Sequence, residues 1–122
     1  MSTAQREIRG NAGSKGTILI VDDHPVNLRL LEKILSAAGY QTLTAENGPT
    51  GRELAVSRLP DLILLDIMMP GESGFESCEK MKKDPRTAHI PIIFLSAKTD
   101  VESKVTGLKI GAVDYMTKPF DK

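Results

Sequence analysis

The sequence has no tryptophan and a single cysteine, Cys78, in 122 residues. One thiol excludes an internal disulfide and any metal site built from several cysteines. Neither sign of charge is in excess: sixteen Lys and Arg balance sixteen Asp and Glu. Formal neutrality gives no reason to expect direct nucleic-acid binding or an anionic membrane surface. No apolar run is long enough to span a bilayer, and the N-terminus lacks the apolar segment of a secretory signal. A soluble, cytoplasmic protein is the expectation. There are no internal repeats and no low-complexity tracts. What remains is ordinary for one globular domain with one core, at 40% hydrophobic and 26% charged residues.

The most informative stretch is Leu62-Ile63-Leu64-Leu65-Asp66. Four branched aliphatics without alternation read as a strand buried on both faces, and the run stops at a carboxylate. Leu59-Pro60-Asp61 punctuates its start, and Met69-Pro70-Gly71-Glu72-Ser73-Gly74 breaks the chain after it. An acid at the C-terminal tip of a buried parallel strand lies where open α/β sheets place their chemistry.

Met1 to Gly16 reads as a flexible tail, a natural extension or a linker, too poor in apolar residues to offset its ordering entropy. Thr17 to Val21 is a second buried strand, followed by Asp22-Asp23. Pro25 suits the first turn of a helix that Asp23 or His24 caps. Val26, Leu30, Ile34 and Ala38 form the expected apolar stripe, with Leu31 and Leu35 beside them, and Gly39 stops the helix. Tyr40 to Ala45 is a shorter strand. Gly48 to Ser57 is a weaker helix, its propensity lowered by Gly51. Phe75, Cys78 and Met81 fall at helical spacing before Asp84-Pro85 ends the helix. Pro91 to Leu95 is a buried strand ending at Ser96. Asp100 to Ile110 is a soft helix, and Ala112 to Thr117 a last strand ending at Lys118-Pro119. Strict alternation predicts an α/β fold, a parallel sheet with helices on both faces.

A parallel sheet brings its strand tips to one edge. Asp22, Asp23, Asp66, Ser96 and Lys118 then converge. Three crowded carboxylates repel one another unless a cation neutralises them, and Mg²⁺ prefers oxygen ligands of this kind. Lys118 adds a second positive charge and Ser96 a hydroxyl donor. The set suits phosphoryl chemistry with a carboxylate as nucleophile. Taken singly, each residue has a blander reading. Asp22 and Asp23 can cap the first helix, Ser96 can be a turn residue, and Lys118 can be a solvated charge. Cys78 and Met81 read as core. His24 and His89 read as solvated loop residues without the partners for a metal site.

Four stretches in order resemble the receiver domain of two-component response regulators. They are Ile20-Val21-Asp22-Asp23, Leu64-Leu65-Asp66-Ile67-Met68-Met69-Pro70 with Gly74, Leu95-Ser96-Ala97, and Asp114-Tyr115-Met116-Thr117-Lys118-Pro119-Phe120. The wording around Asp66 and the Asp84-Pro85 loop look most like receivers joined to cyclase-type output domains or hybrid kinases. The resemblance covers Thr17 to Lys122. It implies a flavodoxin-like, doubly wound, five-stranded sheet in the order 2-1-3-4-5. It implies that Asp66 is the phosphoacceptor, charged from the phosphohistidine of a histidine kinase or histidine phosphotransfer protein. Asp23 would bind Mg²⁺ directly and Asp22 mostly through water, with the Met68 backbone carbonyl completing the protein ligands; Mn²⁺ could substitute. Lys118 would pair with Asp66 and then the phosphoryl oxygens, and its bond to Pro119 would be cis. Ser96 would move toward the phosphoryl group and Tyr115 would turn inward behind it. Met68 and Lys98 would tune water attack on the phosphoryl group.

The family's fifth helix has no counterpart before Lys122. The expectation is a receiver over 17–122, truncated before that helix, with an output domain beyond Lys122, a partly bare face and a possible homodimer. Three other functions stay open. A haloacid-dehalogenase-type phosphatase needs an acid two residues after its nucleophile, where Met68 stands. A non-phosphorylated pseudo-receiver would act only as an interaction module. A flavodoxin-like nucleotide binder needs a glycine-rich loop where Asp22-Asp23-His24-Pro25 stands.

Overall fold

The computed structural model describes residues 15–96 and 114–117. Five parallel strands run in the order β2-β1-β3-β4-β5: β1 Thr17–Val21, β2 Gln41–Ala45, β3 Leu62–Asp66, β4 Ile92–Ser96 and β5 Asp114–Thr117. Among the described residues, three helices lie between them, α1 Pro25–Ala37, α2 Gly48–Arg58 and α3 Gly74–Lys83. The helix expected over 100–110 lies outside the described residues, as do residues 1–14 of the expected tail. Lys15 and Gly16 are bonded into the fold. The Lys15 amide donates to the Gly39 carbonyl, and the Gln41 amide to the Gly16 carbonyl at 2.8 Å.

The aliphatic strands have no wet face because both faces carry core. Leu19, Val21, Ile63, Leu65, Ile92 and Phe94 pack on the α2–α3 side. Ile18, Ile20, Leu64 and Leu95 pack against Leu28 and Leu31 of α1 on the other. Alternate residues of one strand thus serve two cores, so a slip of one residue would exchange them.

In α1 the inward stripe differs from the sequence expectation. Leu28 and Leu31 are buried, Leu35 packs beside them, and Val26 is 67% exposed. A four-residue repeat advances by about 40° per step around a helix of 100° per residue. Val26 therefore starts on the side opposite the sheet, and Leu30, Ile34 and Ala38 wind only gradually back toward it, while positions 28, 31 and 35 stay on it.

The glycines that weaken α2 on paper are its contact surface. Gly48, Gly51 and Ala55 are its buried residues. A Cβ at Gly51 would come within 2.8 Å of Val21 Cγ2. The helix trades propensity for close approach to β1. Asn47 caps it by accepting from the Thr50 amide at 2.8 Å. In α3, Ser73 and Glu76 form a reciprocal capping box, with bonds of 3.2 and 2.8 Å.

Candidate functional site

The parallel register places the chemistry on one edge. Val21 pairs with Leu65, Asp66 with Leu95, Leu95 with Met116 and Ser96 with Thr117. Asp22 follows β1 directly, its amide bonded to the Ala45 carbonyl at 3.0 Å. Asp22 and Asp66 are buried, at 0% and 2% exposure, and the Asp23 side chain is about a quarter exposed. Carboxylate oxygens of all three, with a ring nitrogen of His24, lie within 4.8 Å of one another.

Local structure holds these acids in place. Asp22 Oδ1 accepts from the His24 amide at 2.9 Å, and Asn27 Nδ2 donates to its Oδ2 at 3.4 Å. After Asp66 the chain folds back at once, with the Gly74 amide donating to the Ile67 carbonyl at 2.9 Å. A Cβ at Gly74 would collide with the Asp66 carbonyl, so glycine is required for that close return. Gly71 turns the same loop at φ 79°. Met68 stands out of it, 73% exposed, beside a shallow recess lined by Ile67, Met69, Pro70 and Ser73.

A clamp that sequence reasoning missed fixes the far side of this loop. Arg52 grips Glu72 with two bonds, Nε to Oε2 at 2.8 Å and Nη2 to Oε1 at 2.9 Å. Ser77 Oγ donates to Glu72 Oε2 at 2.6 Å and Lys80 Nζ to Oε1 at 3.0 Å. Hydrogen bonding from Arg52, reinforced by Ser77 and Lys80, holds the Glu72 carboxyl down to about 2 against desolvation. The same pairing raises the Arg52 guanidinium. A Cβ at Gly48 would strike both Ser77 Oγ and Glu72, so α2 starts at glycine where the clamp passes beneath it.

His24 corrects its sequence reading as a residue without metal-site partners. It is the N-cap residue of α1, yet its side chain makes no capping bond. Its Nδ1 lies 3.3 Å from Asp22 Oδ1 and 3.2 Å from Asp23 Oδ1. Cys78 is buried core as expected, and burial pushes its thiol up to about 11. Ser96 ends β4, and Tyr115 lies in β5 opposite Phe94. Lys98 and Lys118 lie outside the described residues. The structure thus unites Asp22, Asp23 and Asp66, with Met68 adjoining.

Three acids beside a fourth donor in this volume fit a hard divalent cation. Mg²⁺–oxygen distances of about 2.1 Å put opposed ligands roughly 4.2 Å apart, close to the observed spread. A cation there would offset the repulsion between like charges taken out of water together. Residues 18–122 match the response regulator receiver domain.

The chain belongs to the response regulator receiver domain family. It is 49% identical over 104 residues to the response regulator PleD of Caulobacter vibrioides, covering 85% of this chain and 23% of PleD. The chain thus spans about a quarter of that relative's length. It is 45% identical over 105 residues to protein PilH of Pseudomonas aeruginosa, covering 86% of this chain and 87% of PilH. A solved structure, the receiver domain of sensor histidine kinase PA1611 from P. aeruginosa, superposes with a TM-score of 0.79 at 29% identity. It covers 87% of each chain, and its active-site cleft coordinates a magnesium ion. Receiver domains of this family act in two-component signalling with histidine kinases and output domains. No helix among the described residues is long and apolar enough to cross a membrane.

Proposed function

We propose that this receiver takes a phosphoryl group from a phosphohistidine onto Asp66 and passes the change to an output surface. The observation that carries this reading is the buried Asp66 carboxylate at the tip of β3, with Asp22 and Asp23 beside it. Phosphoryl transfer depends on positioning and charge neutralisation more than on acid–base chemistry. An Asp66 oxygen attacks phosphorus, forming a P–O bond as the P–N bond to imidazole breaks. The imidazole leaves with the bonding pair and takes up a proton from solvent. Asp22, Asp23, Asp66 and the Met68 carbonyl would hold Mg²⁺, or Mn²⁺ in its place. When bound, that ion would neutralise charge on the phosphoryl oxygens.

The remaining roles belong to residues named by the family pattern. Lys118 pairs with Asp66 before transfer and with the phosphoryl group after it. Ser96, at the end of β4, donates to the new acceptor oxygens, and Tyr115 turns inward behind it. The β3–α3 loop, pinned through Glu72, keeps the Met68 carbonyl at the site. The donor is a histidine kinase or a histidine phosphotransfer protein. An output module carried elsewhere in a longer protein is part of this proposal, as is pairing of two receivers.

The test is intact-mass measurement after incubation with acetyl phosphate and Mg²⁺, beside an Asp66→Asn control. The expected result is one added phosphoryl group in the native chain and none in the control, with acetate released. Absence of any gain in the native chain would overturn the reading in favour of a pure interaction module. Equal labelling of Asp66→Asn would place the phosphoacceptor elsewhere.

A further inference from the structure

We propose that His24 supplies a nitrogen ligand to the position between Asp22, Asp23 and Asp66, making it a mixed site that also takes zinc-class transition ions. This rests on the reading of that position as a divalent-cation site. Oxygen and nitrogen ligands sit about 2.0–2.1 Å from Zn²⁺, so neighbouring ligands in a tetrahedral set are about 3.3 Å apart. His24 Nδ1 is 3.3 Å from Asp22 Oδ1 and 3.2 Å from Asp23 Oδ1. The ring is therefore already at ligand spacing from two acids, and Asp66 lies within the same 4.8 Å cluster.

Contacts of the ring nitrogen with the Asp22 and Asp23 carboxylates hold the ring over the acids. The side chain is 63% exposed, and it does not cap the helix it precedes. What fixes its direction is the bond from its own amide to Asp22 Oδ1 at 2.9 Å, which folds residue 24 back over the acids. An all-oxygen set suits Mg²⁺ and Mn²⁺, whereas imidazole favours zinc, nickel and copper. One nitrogen donor therefore narrows the preference for magnesium. It also fills a coordination position that a water or phosphoryl oxygen would need. A zinc-loaded receiver is then held in a form that resists phosphorylation.

The test titrates the chain Met1–Lys122 with Mg²⁺ and, separately, with Zn²⁺ by calorimetry. His24→Asn, His24→Ala and Asp23→Asn are measured alongside, each checked for native circular dichroism. The chain has only two histidines, so ring ¹⁵N resonances are assigned by comparison with His89→Gln. Expected are a loss of Zn²⁺ affinity of at least about tenfold in both His24 variants and a change under threefold for Mg²⁺. A Zn²⁺-dependent shift of the His24 Nδ1 resonance is also expected. Inhibition of acetyl phosphate labelling by Zn²⁺ should weaken in parallel. Unchanged Zn²⁺ affinity in the His24 variants overturns the inference and leaves the cation reading intact, provided Mg²⁺ binding still falls in Asp23→Asn. Zn²⁺ binding that survives Asp23→Asn undiminished overturns it as an adventitious surface histidine. A native chain that binds neither ion overturns both.

Discussion

Glu72 accepts hydrogen bonds from Arg52, Ser77 and Lys80 at once, and its side chain is 10% exposed. Its folded acidity is stronger than its unfolded acidity, so it stabilises the fold above about 4.5 and loses that contribution as pH falls toward about 2. Glu72→Gln is expected to lower stability by about 1–2 kcal/mol at pH 7, with the cost softened by solvent at Lys80. Urea titrations at several pH values should show the difference from the native chain narrowing below pH 4.5. Met68, exposed two residues after Asp66, offers no group that orients water. Met68→Asn should shorten the phosphoryl lifetime severalfold, read as loss of the phosphorylated mass with time; an equal or longer lifetime would refute this role. Asp66 was legible in the sequence because an unbroken aliphatic run ends on it. Glu72 was not, since Arg52 and Lys80 reach it from two different helices and no spacing rule joins the three. The partners of His24, exposed as expected, were missed for a related reason: its neighbours in sequence, Asp22 and Asp23, became neighbours of its ring only through a backbone turn.

At the scale of elements, Leu59 is the position where sequence and geometry disagree most. It closes α2 in the left-handed region at φ 46°, where glycine is the usual choice, and it is 54% exposed. Leu59→Gly should therefore raise stability by up to about 1 kcal/mol, seen as a higher urea midpoint with an unchanged slope. A loss of stability would mean that the leucine packs usefully despite its exposure. Removing the α3 cap with Ser73→Ala should cost about 1 kcal/mol. The alternation was readable chiefly because β1, β3 and β4 are short, largely aliphatic runs bounded by turn residues. The face that α1 buries was not, because a four-residue repeat looks continuous in sequence and is not continuous around a helix. In α2 the contact is made through Gly48 and Gly51, and hydrophobic periodicity cannot register residues without side chains.

For the whole molecule, the crowded acids belong to the folded state alone. Asp22 and Asp23 follow β1 and Asp66 ends the adjacent strand β3, but β2 and two helices separate them in sequence. A cation bound there stabilises native over unfolded chain by mass action. Mg²⁺ at ten times its dissociation constant should add about 1.4 kcal/mol, measured as a rise in melting temperature that Asp23→Asn abolishes. The same topology has a kinetic consequence. Pairing β1 with β3 closes a long loop, the kind of non-local step that slows folding. If that pairing forms in the rate-limiting step, the electrostatic resistance of the acids is met on the way up the barrier. Mg²⁺ would then speed refolding as well as slow unfolding, and the balance of the two limbs in a chevron plot would date the birth of the site along the folding path.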